Sequence, residues 1–170
     1  MSRIPAIGIV PIDQMQGEDS ADTDLLRELR KKAENYVNSL DWFPGITEMY
    51  YGAGVGGIFA IFLIRTYPNA FSHRGTPIDE WLWVVVGDIP SAYLVLDVAQ
   101  KPSEACEVYL ELMTGWIDCV ESGEVPSDNE FPVNMEPTPE NAALLHTRTM
   151  LIQQHVLPVI QTAEAKHTIH

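Results

Sequence analysis

Apolar residues change their period twice along this chain. Before Pro44 and after Pro102 they recur every three or four positions, and between these points they run almost unbroken or alternate by twos. The first rhythm predicts helices and the second predicts strands. Three runs rich in β-branched and aromatic residues, Ile58–Thr66, Glu80–Gly87 and Ser91–Val98, read as neighbouring strands of one antiparallel sheet. Ile46–Tyr51 adds a fourth. In Glu80–Gly87, Trp81, Trp83 and Val85 fall on one side and Leu82, Val84 and Val86 on the other. Both faces are apolar, which predicts an interior strand covered on both sides, with the two tryptophans in the core. In Ser91–Val98, Tyr93, Val95 and Asp97 alternate with Ala92, Leu94, Leu96 and Val98, so one face is wetter. Asp88-Ile89-Pro90 is the predicted turn between these two strands.

Three helices flank the strands. Ser20–Leu40 has Leu25, Leu29, Ala33, Tyr36, Val37 and Leu40 on one face, with cap candidates at Ser20, Asp22, Thr23 and Asp24. Pro102–Ser122 carries a stripe of Ala105, Tyr109, Leu112, Trp116 and Val120, widened by Cys106, Met113 and Ile117, and stops at Gly123. Thr138-Pro139-Glu140 opens the third, with Ala142, Leu145, Thr149, Ile152 and Val156 inward and Pro158 as its end or kink. The predicted fold is α+β: an antiparallel four- to five-stranded β-meander with three helices packed mainly on one face, in the order α-β-β-β-β-α-α. Length predicts a single domain over 1–170. Residues 1–19 read as an extended arm that Pro5 and Pro11 exclude from a central strand, a sheet edge being one place for it and its position staying open, and 163–170 as a frayed tail.

Charge narrows the function. The formal net charge is −14, which opposes nucleic acid and anionic membrane surfaces as partners. The longest uncharged run, Met49–Ile64, is shorter than the ~20 residues of a spanning helix and contains four glycines. The imbalance is local: residues 101–137 hold nine acidic residues and one basic, a net −8. Glu104, Glu107, Glu111, Asp118 and Glu121 share the face of the second helix opposite its apolar stripe, which points to another protein with a basic surface as partner. The basic residues of the first helix, Arg27, Arg30, Lys31 and Lys32, are interleaved with Glu28 and Glu34 and read as a solvated face. Carboxylates strung along a helix do not converge on a metal, and His146 and His155 are nine apart, so no metal is expected.

A second reading starts from Gly52-Ala53-Gly54-Val55-Gly56-Gly57, which fits G-x-G-x-x-G with Asp79 22 positions beyond Gly57. The dinucleotide fingerprint needs a buried strand before it and a helix behind it. Here Thr47 and Glu48 precede it and bulky, β-prone Ile58–Ile64 follows, so a glycine-rich connection between strands is favoured. The alternative keeps Gly52, Gly54 and Gly57 with His73 and Arg74 of the 67–79 connection as a small-ligand or nucleotide site. No hydrolase, metalloprotease, redox or phosphate-loop motif is present, and no cofactor is expected. Cys106 and Cys119 lie 13 apart on one helix, about 20 Å at ~1.5 Å per residue, too far to pair. Two cysteines that cannot bond each other and the absence of a secretory pattern in Met1–Ile12 predict a reduced, cytoplasmic setting. The type, a small acidic α+β domain without evident catalytic residues, resembles bacterial immunity proteins and secretion chaperones. That resemblance implies a non-enzymatic protein-interaction module. A homodimer through the arm or an edge strand is a further expectation.

Overall fold

The computed structural model describes residues 8–67, 80–127, 133 and 135–168. Five antiparallel strands form one sheet in sequential order: β1 Val10–Pro11, β2 Glu48–Val55, β3 Phe59–Arg65, β4 Trp81–Gly87 and β5 Ile89–Val95. The helices are α1 Ser20–Asn38, α2 Pro102–Glu121, α3 Pro139–Leu151 and α4 Leu157–Thr168. The fold is therefore α+β with the expected meander. The arm supplies the edge strand β1, paired Val10 to Tyr51, which makes five the number of strands, and the third helix is long enough to be divided into α3 and α4.

The sheet buries both faces. On one, Leu26, Leu29, Ala33 and Val37 of α1 pack on Met49, Ala60, Phe62, Ile64, Val84 and Val86. On the other, Phe59, Ile61, Leu63, Trp81, Trp83 and Val85 meet Ala105, Cys106, Tyr109 and Met113 of α2, and α3 and α4 pack on α2. Most of the helix thus lies on one face, with α1 alone on the other. β4 is fully buried, and the side chains divide between the faces as the alternation requires. The Trp83 indole donates to Ala99 O at 2.8 Å and the Tyr109 hydroxyl to Pro90 O at 2.6 Å, so the polar tips of both rings are satisfied inside the core.

Several local expectations change. Leu26, not Leu25, faces the sheet; Leu25 stays 46% exposed, because the stripe 26-29-33-37 is the one that keeps helical spacing over the strands. Leu110 joins the α2 core and Leu112 is only partly buried, since α2 is packed from two sides. The turn between β4 and β5 is tighter than Asp88-Ile89-Pro90: Gly87 pairs with Ile89, and both Ile89 and Pro90 belong to β5. Gly87 permits it, with φ +152° and the Ile58 carbonyl 2.2 Å from where a Cβ would stand. β5 ends at Val95 and Leu96–Val98 form a 3-10 turn.

Pro158 does not end the third helix. A π turn over Ile152–Val156 precedes it, and the wider turn carries the chain past a residue that lacks an N–H. The tail expected to fray from 163 instead continues α4 to Thr168, anchored by buried Glu164.

Candidate functional site

The acidic residues of α2 recur at steps of three, four and seven through Glu104, Glu107, Glu111 and Asp118, so they line one ridge. That ridge borders a groove whose opposite wall is the 153–165 helical run. One half of the groove, about 440 Å³, is lined by Glu107, Glu111 and Asp118 with Leu110, Gln153 and Leu157. The other half, about 580 Å³, is lined by Glu104 and Glu107 with Gln161, Glu164 and Lys101. Glu107 lines both, so the two halves adjoin at its side chain. Leu110 and Leu157 give an apolar floor between carboxylate and glutamine walls. Thr114 and Gly115 leave the α2 wall low between Glu111 and Asp118.

Each carboxylate has its own setting. Glu104 accepts from the Gln100 N–H at 2.9 Å, in the first turn of α2 where a negative charge suits the helix dipole. Glu107 accepts from Gln161 Nε2 at 3.0 Å, which ties the two walls together. Glu111 and Asp118 are exposed. Glu121 is exposed at the C-terminal end of α2, outside the groove lining. Four of the five residues singled out in the sequence are thus brought together.

Glu164 was missed. It is 8% exposed, and its carboxylate accepts from the Ser103 N–H at 2.9 Å and from the Ser103 hydroxyl, joining α4 to the N-terminus of α2. The signal was available: Val156, Ile160 and Glu164 continue the buried stripe of α3 at steps of four once the helix is allowed past Pro158.

The glycine-rich hexapeptide has a structural role. Gly52 and Gly54 lie inside β2, Gly56 and Gly57 form the turn to β3, and a strand rather than a helix follows. Gly52 sits at a β-bulge, where the register shifts between Tyr51 and Ala53. The bulge changes which side the chain presents: Tyr51 packs on the α1 face, whereas Ala53 and Val55 pack on the α2 face. No helix N-terminus stands behind Gly57 to hold a phosphate. His73, Arg74 and Asp79 lie outside the described residues.

A separate charged cluster ties the ends of three strands. Arg65 reaches Glu48 at 2.5 Å and Glu80 at 2.7 Å, lies over the Trp81 ring at 5.2 Å, and Glu48 also accepts from the Tyr50 hydroxyl at 2.8 Å. The Arg65 hydrogen bond, followed by that of Tyr50, holds the Glu48 carboxyl below the usual carboxylate range. Neither Cys106 nor Cys119 is in a disulfide, and burial pushes the Cys106 thiol up to about 12.

Among the described residues, no helix is long and apolar enough to cross a membrane, and no group of three His, Cys, Asp or Glu side chains converges as a metal site would. No protein-family model matches the chain, and no curated protein or solved structure matches it significantly.

Proposed function

We propose that this protein is a non-enzymatic, cytoplasmic interaction module that takes a partner with a basic surface into the groove between α2 and α4. One observation carries the reading: Glu104, Glu107, Glu111 and Asp118 stand along one side of two adjacent cavities that share Glu107, and the cavity beside Glu111 and Asp118 has Leu110 and Leu157 in its lining. A patch of mere solubilising charge has no need of a floor. Here Leu110 and Leu157 offer apolar burial, while the carboxylates set the sign and orientation of the partner. Long-range attraction by a net −14 chain speeds encounter with a cation-bearing surface.

The test compares the wild-type chain with a triple reversal, Glu107→Lys, Glu111→Lys and Asp118→Lys, each immobilised and exposed to lysate at low salt. The proposal predicts bound proteins that leave as salt shortens the screening length and that the triple variant does not retain. Circular dichroism checks that the variant is folded. A bound set that survives the reversal refutes the reading.

A further inference from the structure

The helical run of α3, the π turn and α4 buries one stripe: Leu145, Thr149, Ile152, Val156 and Ile160. The residues one place after it, Gln153, Leu157 and Gln161, face the acidic groove. The residues one place before it lie on the opposite flank, since each position turns the helix by about 100°. That flank carries Leu144, Leu151 and Val159, which are 45%, 42% and 66% exposed. Three of the eight large apolar side chains that stand exposed among the described residues thus fall in one row. Seven residues separate the first two and eight the last two. In an unbroken α-helix that eighth residue would swing Val159 about 100° out of line. The π turn over Ile152–Val156 takes it up, so the row stays straight and Leu151 stands at its middle, about 10 Å from either end.

Charge and symmetry select what covers this row. From Asn141 to Ala163 there is no acidic residue, in a chain that has 24. Arg148, the one Lys or Arg of the stretch, is matched by Asp88 of its own chain at 3.2 Å. A face so nearly neutral does not steer a charged partner. It does let two chains of net charge −14 meet with their carboxylates held away from the contact. The row is also complementary to itself. A two-fold axis at Leu151 sets that residue on its own copy and Leu144 opposite Val159 at both ends, as an isologous contact requires. Beside it Ala143, Thr147, Gln154 and Pro158 are exposed and uncharged, so nothing between two such helices has to be desolvated as an ion. About twenty residues of helix, ~30 Å, make a contact at the small end of specific interfaces, below ~1,200 Å² in total, which fits a weak and reversible dimer.

We infer that the protein self-associates as an antiparallel helix pair along the row of Leu144, Leu151 and Val159, with the dimer axis at Leu151.

Sedimentation velocity of the full chain, from micromolar to millimolar concentration, tests this. A reversible monomer–dimer equilibrium is expected. Added salt strengthens it, because screening weakens the repulsion between two negative chains, the opposite sign to capture in the groove. Leu151→Asp brings two carboxylates together on the axis and raises the dimer Kd at least about tenfold. Circular dichroism checks that this variant is folded. Cysteine pairs read the register independently of it. In a Cys119→Ser background, oxidation with copper–phenanthroline links Leu151→Cys to itself, whereas Leu144→Cys and Val159→Cys link when mixed and not alone. The inference is overturned by a chain that stays monomeric to millimolar concentration, which leaves the face to a different partner. It is overturned equally by a dimer that Leu151→Asp does not weaken, as one through an edge strand would not be, or by Leu144→Cys linking to itself as readily as to Val159→Cys. Leu144, Leu151 and Val159 do not line the acidic groove, so none of these results bears on the capture experiment.

Discussion

The Asp22 carboxylate accepts a hydrogen bond from the Gly56 N–H at 2.7 Å, across 34 residues of sequence. Its other oxygen accepts from the Glu18 N–H at 2.9 Å, so one side chain fastens the start of α1 to the turn between β2 and β3. The approach is close: a Cβ on Gly56 would stand 2.5 Å from Asp22 Oδ1 and 2.6 Å from Leu25 Cβ. Near the middle of α1, Lys32 Nζ donates to Gly87 O at 2.6 Å and fixes the second tight reversal. Helix α1 therefore sets both turns on its side of the sheet.

From this follows the first prediction. Asp22→Ala loses about 1.5–3 kcal/mol of stability, the range for a hydrogen bond to a charged group. Gly56→Ala loses a similar amount, about 1–3 kcal/mol, through overpacking. Urea unfolding midpoints at unchanged slope are the measurement. Wild-type stability in both variants would mean that the contact contributes nothing.

Acid unfolding should report on the Arg65 cluster. The folded Glu48 carboxyl lies below its unfolded value of about 4.3, so its contribution is present above that pH and is lost as pH falls through the folded value. Glu48→Gln should therefore lower stability at neutral pH and flatten its decline below about pH 4. Unfolding titrations of both proteins across this window give the two slopes, and parallel curves would exclude the linkage.

Alkaline behaviour is governed by burial. The Cys106 thiol, raised to about 12 by desolvation first and by Glu107 and Glu164 after it, stays protonated in the folded chain. The unfolded thiol titrates near 8.5, so this stabilisation is complete below about pH 8.5 and is lost as pH rises toward the folded value. Between about pH 8.5 and 10, before unfolded tyrosines ionise, Cys106→Ala should show a shallower loss of stability than wild type. Iodoacetamide at mildly alkaline pH should modify half-buried Cys119 and spare Cys106 until the chain unfolds, as read by mass spectrometry.

Glu164 is predicted to hold α4. Glu164→Ala removes the acceptor of the Ser103 N–H and hydroxyl, and hydrogen exchange should quicken along α4 and at the start of α2 while the sheet remains protected. Uniform acceleration in all elements would assign the residue to global stability instead.

Much of this architecture was legible because burial imposes a period. The two apolar faces of β4 identified an interior strand, and Ala142, Leu145, Thr149, Ile152 and Val156 of the third helix are all buried as their spacing requires. What escaped depends on contacts between distant segments. Leu25 and Leu26 are equally apolar, and only the sheet beneath α1 chooses between them. The length of β2 was hidden because glycine is a poor strand former; Gly54 is accepted opposite Ala60 since a Cβ there would stand 2.8 Å from the Phe59 carbonyl. Pro158 left an end and a kink both open because a π turn has no local signature. The acidic ridge of α2 was readable, but its opposite wall was not: Gln153, Leu157 and Gln161 come beside it only through the packing of α4 on α2.

Zero-length carbodiimide crosslinking of a captured partner tests the groove most directly, since it joins carboxylates only to amines in contact. Linkages from Glu107, Glu111 and Asp118 to lysines of the partner are the predicted result. A partner linked instead through Glu18, Glu28 or Glu34, on the α1 side of the sheet, would contradict the assignment of the binding face.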